Sequence, residues 1–170
     1  ISGTVKEHGG FVNGMCPDCG EYEAAVQNTE TGVYEISNAG QLYWFAAQVN
    51  GGNKKINAVL TADITVNENV LNENGELSEG SFKDWTPIGD YNNETPYNGV
   101  FNGQNHTISG LYFNDTSAEC VGLFGCVRKN GGVSNVGIVD SYLSGNNGVG
   151  GVCGVNYGQI LFSYFTGTVS

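Results

Sequence analysis

Short apolar segments recur between Asn and Gly turns through the second half of the chain. This recurrence limits the possible folds more than any other feature. "ISGLYF" from Ile108, "VSNVGI" from Val133 and "ILFSYF" from Ile160 are apolar at their first and sixth positions. The fourth position is Leu111, Val136 and then Ser163, so the third copy departs there. The starts lie about 25 and 27 residues apart by counting along the sequence. A second element follows the first two copies, "VGLFG" from Val121 and "VGGVCG" from Val149, trailed by the turns "KNGG" and "NYGQ". A period in the twenties means a stacked supersecondary unit. No helical pattern lies inside this unit, so it holds short strands separated by glycine turns. The expected fold is all-β, a β-solenoid in which each coil lays its strands on those of the coil before. Ile108, Leu111, Val133, Val136, Ile138 and Ile160 are expected to point inward.

Composition agrees. Gly is 27 of 170 residues, about twice the ordinary ~7%. Glycine and asparagine supply the left-handed backbone that tight turns need. Apolar content is 39%, with 8 Phe, 9 Tyr and 2 Trp, which excludes a disordered chain.

One stretch breaks the β pattern. "EISNAGQLYWFAAQVNGG", residues 35–52, reads as an amphipathic helix. Asn38, with Ser37 as its rival, can cap it and Gln41 sits three residues on, as in a capping box. Leu42, Phe45, Ala46 and Val49 follow the spacing of one buried face, and Gly51 and Gly52 end it. A solenoid has two open strand edges that invite aggregation. The helix is therefore read as a cap over the first coil, with Tyr43 and Trp44 packing rather than forming a sugar-stacking face. The domain plan is an irregular segment over 1–33, the capping helix over 34–57 and solenoid repeats over 58–170.

The formal charge is −11, with only 6 Lys or Arg. Lys6, Lys54, Lys55, Lys83, Arg128 and Lys129 are too few for a nucleic-acid face, and the same count disfavours anionic membranes and polyuronates. No apolar run approaches the ~20 residues of a membrane span. Ile1 is not an initiating Met and no secretory leader is evident, so the sequence is read as a piece of a longer, processed or trimmed protein.

Cys16 and Cys19 in "CPDCG" have zinc-knuckle spacing, and His8 lies close upstream. These three are the candidate metal ligands, for zinc; free thiols or a Cys16–Cys19 disulfide are the alternatives. Cys120, Cys126 and Cys153 sit among Val, Leu and Gly and read as small buried core residues. In the polar insert, "NENVLNENGELSEG", the calcium-loop register fails: with Gly75 at position 6, position 1 is Val70. It reads as a loop of solvated carboxylates. His106 lacks a recognisable nucleophile partner, and Asp84, Asp90, Asp115 and Asp140 are dispersed, so no catalytic residues are assigned.

The segment "WTPIGDYNNETPYNGVFNGQNHTISGLYF", with "VGLFG", "GGVSNVGIVDSYLSG", "VGGVCG" and "NYGQILFSYFTGTV", resembles the GLUG-repeat proteins of bacteria. Gly122–Gly125 matches the Gly-Leu-any-Gly motif, and Gly151–Gly154 matches with Val152 in place of Leu. "ISNAGQLYWFAAQVNGG" is similar to the segment that often precedes such repeats in large surface proteins of gut Firmicutes. The resemblance runs from about Tyr34 to Ser170. It implies a right-handed parallel β-helix, secreted or wall-attached. The repeat also occurs in N-terminal regions of IgA-specific metalloproteases, whose H-E-x-x-H motif is absent here. The implied role is a non-catalytic extracellular module, a stalk or adhesion surface continuous with further repeats or domains. Its partner would be a host or bacterial glycan or protein, with no nucleic acid and no membrane insertion. The alternatives are a carbohydrate-binding or carbohydrate-active domain and an accessory region of a surface protease.

Overall fold

The computed structural model describes residues 9–170. Among the described residues the chain is mainly β, with one helix. In chain order the elements are β1 (Val26–Gln27), β2 (Tyr34–Ile36), α1 (Ala39–Asn50), β3 (Ala58–Leu60), β4 (Ile64–Thr65), β5 (Val100–Asn102), β6 (Thr107–Ser109), β7 (Tyr112–Asn114), β8 (Glu119–Val121) and β9 (Phe124–Val127). They continue with β10 (Gly132–Ser134), β11 (Gly137–Ser144), β12 (Asn147–Val149), β13 (Cys153–Asn156), β14 (Gln159–Leu161) and β15 (Tyr164–Val169).

Strands form four sheets. The first runs β1-β2-β3-β5-β10-β14, and the second runs β15-β11-β6-β4 with β7 also on β11. β12 pairs with β8, and β13 with β9. Every pairing between these strands is parallel except β1 with β2. From β5 onward each pass of the chain visits the sheets in one order. Isolated parallel bridges extend the pattern backward, pairing Asp84 with Tyr112, Ile88 with Phe124 and Tyr97 with Val127.

The register differs from the sequence expectation at one place. Val133 pairs with Ile160, as aligned, but Ile108 pairs with Ile138 while Val133 takes Phe101. Ala58, Phe101, Val133 and Ile160 are successive rungs, so the interval shortens along the chain (58 to 101, 101 to 133, 133 to 160). The turns after β7 and β9 are each two residues longer than their counterparts after β11 and β13, and so is the corner after β5 relative to those after β10 and β14. Gln104 and Asn105 fill it, both left-handed, with φ of 51° and 65°. Ile108, Leu111, Val133, Val136 and Ile138 are buried as expected. Ile160, on the last rung of its sheet, is only half-buried.

The glycine motifs have a steric cause. A Cβ on Gly122 would lie 2.7 Å from the Gly150 carbonyl oxygen, and one on Gly154 2.7 Å from the backbone of Val121. Neighbouring passes approach too closely there for any side chain.

Two N-terminal expectations need correction. The first strand does not follow the helix: β2 precedes it and pairs with β3, Tyr34 beside Ala58. Residues 9–33 are also not wholly irregular. Antiparallel bridges join Val12 to Met15 and Met15 to Tyr22, and β1 pairs with β2. These ladders are two or three residues long, too short to show a period-2 pattern.

Helix α1 starts as its sequence dictates. Asn38 Oδ1 accepts from the Gln41 amide at 2.9 Å. Gln41 Oε1 reaches back to the Ser37 amide at 2.8 Å, one residue before the position a capping box uses. Asn13 satisfies two more orphan donors, its side-chain oxygen taking the Ala39 amide and its carbonyl the Gly40 amide. At the far end Gly52 is left-handed, and the Asn53 and Gly52 amides bond Gln48 and Val49 carbonyls in the Schellman arrangement. Leu42, Phe45, Ala46 and Val49 are buried in one core with Leu60, Tyr97, Phe101 and Phe124.

The corner after β10 carries Asn135 at φ 54°. Its side-chain amide donates to Asn102 Oδ1 of the previous pass at 3.0 Å. The equivalent position in the next pass is Phe162, at φ 50° and 84% exposed. A left-handed conformation costs a bulky residue on the order of 1 kcal/mol, and exposure returns little. Phe162→Asn is therefore expected to raise Tm by about 2–4 °C, read by thermal unfolding. A drop in Tm would show that the ring is packed in solution.

Candidate functional site

The turns that close β9 and β13 build the most distinctive surface of the molecule. Tyr97, Val127 and Asn156 are successive rungs. The residues that follow them, Asn98, Arg128 and Tyr157, therefore form a column at one corner, one per pass, at the ~4.8 Å strand spacing. Main-chain bonds fix the column: the Arg128 amide donates to Tyr97 O at 2.7 Å and the Tyr157 amide to Val127 O at 2.9 Å. Gly131 N donates to Arg128 O, and Asn156 Oδ1 accepts from Gly158 N, which closes the two turns.

A further loop supplies Tyr91. Asp90 and Thr95 exchange both main-chain hydrogen bonds, and Asp90 Oδ1 accepts from the Asn92 and Asn93 amides. Tyr91 and Tyr157 are each more than half exposed, at 53% and 58%. Their rings lie 6.5 Å apart, tilted by 32°. Together with Arg128, Lys129 and the buried Cys126 they line one cleft. Lys54, Asn98 and Asn130 line the adjoining depression with the same two cations. Lys54 Nζ also donates to the Glu94 carbonyl at 3.1 Å, tying it to the Tyr91 loop. Six cations in the whole chain looked too few for any basic face, yet three of them meet at this corner.

The residues singled out from sequence lie elsewhere. Cys16 and Cys19 belong to a tight turn in which Cys16 N donates to Glu21 O and Gly20 N to Cys16 O. Cys16 is buried and Cys19 half-buried. A side-chain hydrogen bond with Cys16 pushes the Cys19 thiol above its ordinary value. His8, the third candidate ligand, lies outside the described residues. Among the described residues no group of three or more His, Cys, Asp or Glu side chains is placed to hold a metal ion.

Cys120, Cys126 and Cys153 are thiols. Cys126 is buried as expected, but Cys120 and Cys153 are only half-buried. Desolvation raises all three thiols, Cys153 to about 12.

The carboxylates act on backbone. Asp63 Oδ1 accepts from the Thr107 amide at 2.8 Å and lies 3.2 Å from His106 Nδ1. Those two contacts hold it below the usual carboxylate range, the amide first. Asp115 Oδ1 accepts from the Ser117 hydroxyl and amide, which lower it likewise. Asp140 bonds the Val70 and Leu71 amides. Glu68, Glu73, Glu76 and Glu79 of the insert are exposed, as expected. Tyr43 is core: it stacks on Tyr22 at 5.0 Å, and its hydroxyl donates to Asp84 O at 2.7 Å. No helix among the described residues is long and apolar enough to cross a membrane.

Part of the chain is similar to short segments of two much longer proteins. Over 79 residues, 45% of the chain, it is 37% identical to a protein of Evansella cellulosilytica described as a Gly-rich membrane protein. Over 84 residues, 49% of the chain, it is 36% identical to halomucin of Haloquadratum walsbyi. The matched segments make up 9% and 1% of those two proteins. No family model and no solved structure matches the chain.

Proposed function

We propose that the chain is a non-catalytic extracellular module of a larger bacterial surface protein: a right-handed β-solenoid, resembling GLUG repeats, capped by α1 and offering its stacked corners as a binding surface. The observation that carries this reading is the repeated visit to the same sheets in the same order, with parallel pairing on every pass. Such a stack grows by adding passes and holds its corners in fixed columns. The size and descriptions of the two relatives favour a piece of a long surface polymer. The carboxylates support a scaffold over an enzyme, since Asp63, Asp90, Asp115 and Asp140 are each occupied in holding backbone.

The last pass leaves one side of β14 and β15 unpaired, with Leu161, Phe162, Tyr164 and Val169 exposed. In the parent protein a further pass would cover them. The 170-residue chain is expected to associate through this edge, and the pair Leu161→Lys and Val169→Lys to return it to a monomer in sedimentation. The same samples, incubated with neutral and acidic polysaccharides, should release no new reducing ends. Turnover abolished by replacing one carboxylate would overturn the scaffold reading.

A further inference from the structure

We propose that the corner formed by Tyr91, Tyr157, Arg128 and Lys129 binds a carboxylate-bearing pyranose at the end of a glycan chain. The proposal rests on the binding-module reading above and names the ligand class of that surface. Three observations lead to it. The first is the aromatic pair. Two tyrosines more than half exposed, 6.5 Å apart and tilted by 32°, form a ledge that apolar sugar faces can cover while the phenol hydroxyls stay wet. The Tyr91 loop is closed by main-chain hydrogen bonds and the Tyr157 turn by the Asn156 side chain, so little ordering is needed on binding.

The second is the placement of charge. Arg128 stands one pass from Tyr157 in the same column, and Lys129 follows it into the same cleft. A guanidinium takes a carboxylate by two parallel hydrogen bonds. One sugar ring can therefore rest on the tyrosines and turn its carboxylate to Arg128. Asn98 and Asn130 beside the cations offer donors and acceptors for ring hydroxyls.

The third is the contrast with the rest of the molecule. Three cations at one corner sit on a chain of net charge −11. A long polyanion that leaves the corner meets acidic surface within a Debye length of about 8–10 Å. A single terminal anionic sugar meets only the nearby Asp90 and Glu94 of the Tyr91 loop, set against three cations. The same contrast disfavours nucleic acid, and an acidic peptide would leave the tyrosine ledge without a matching flat ring.

The test is calorimetric titration of the monomeric, lysine-edged chain with defined trisaccharides. A glucuronate-terminated trisaccharide is expected to bind at least tenfold more tightly than its glucose-terminated counterpart. Arg128→Gln and Tyr157→Ala should each weaken it tenfold or more with Tm essentially unchanged, and raised salt should weaken it too. If either variant fails to fold, Tyr91→Ala and Lys129→Gln carry the same expectation. Equal affinity for the two trisaccharides, tighter binding of polygalacturonate or of an acidic peptide of equal charge, or binding untouched by these substitutions would overturn the proposal. The scaffold reading fails separately, through turnover or through a chain that never associates at its edge.

Discussion

Phe45→Ala is expected to destabilise the chain by about 3–5 kcal/mol, a fall in Tm on the order of 6–20 °C for a domain of this size. Phe45 is fully buried at the centre of the face that α1 turns to the sheets. Its ring meets Tyr97 edge-on at 5.9 Å and Phe101 at 6.0 Å. Phe101 is the β5 rung and Tyr97 precedes the corner column, so one side chain joins helix, sheet and candidate site. Truncation leaves a cavity that the stiff parallel ladders cannot close, beyond the lost transfer energy. Ala47→Lys, on the exposed face of the same helix, should change stability by less than about 0.5 kcal/mol. This pair is sharper than deletion up to Gly52, which would also remove β1 and β2 from one end of the first sheet. A Phe45→Ala loss of under about 1 kcal/mol would show that α1 only rests against the core.

The helix was the most legible element in the sequence, because its signals are local. Asn38, Gln41 and the glycines mark its ends, and the 3.6-residue apolar pattern marks its face. The sheets were legible as a class but not in register. Their strands are mostly three residues long, and pairing is settled by corner lengths that vary between passes. Aligning Ile108 with Val133 followed the nearest apolar hexamer. The hexamer at Ile108 lies on β6, one strand further along its pass than Val133 on β10, so the true partner of Ile108 is Ile138 on β11. β2 was missed for a similar reason, since Tyr34-Glu35-Ile36 shows no alternation long enough to detect.

The candidate site was hidden because its residues meet only through stacking. Tyr91, Arg128 and Tyr157 come from three passes, and nothing local to any of them marks a ligand. One signal was present. "KNGG" and "NYGQ" occupy equivalent turns, so Arg128 just before one, Lys129 opening it and Tyr157 within the other had to share a corner once the passes were stacked. Counting cations over the whole chain averaged that concentration away.

Val136→Asp should leave the chain largely unfolded at neutral pH, at a cost of at least about 4 kcal/mol, while Asp140→Asn should cost about 1–2 kcal/mol. Val136 is 1% exposed, and its backbone holds the neighbouring pass, with Tyr164 N donating to its carbonyl at 3.1 Å. The substitution forfeits about 1.5–3 kcal/mol of apolar burial and sets a carboxyl group in the core without a partner, worth several kcal/mol more. A stability near 5–15 kcal/mol leaves little margin. From sequence Asp140 is one of four dispersed carboxylates with no assigned role. The structure gives it work: at φ 45° in the β11 bulge, its two oxygens take the Val70 and Leu71 amides at 3.2 and 2.9 Å. Asn keeps one acceptor and turns an N–H toward the other amide, losing a charge-assisted bond. Acid separates the two mechanisms. The new carboxyl of Val136→Asp is desolvated only in the folded state, so its folded pKa lies above its unfolded value of about 4. Its penalty therefore grows as pH rises above 4 and shrinks on acidification. Thermal unfolding at pH 7 and pH 4.5 should show Val136→Asp recovering part of its loss relative to the parent chain, with no such recovery in Asp140→Asn. Equal melting points for the two variants at neutral pH would mean that Val136 does not face the interior of the stack.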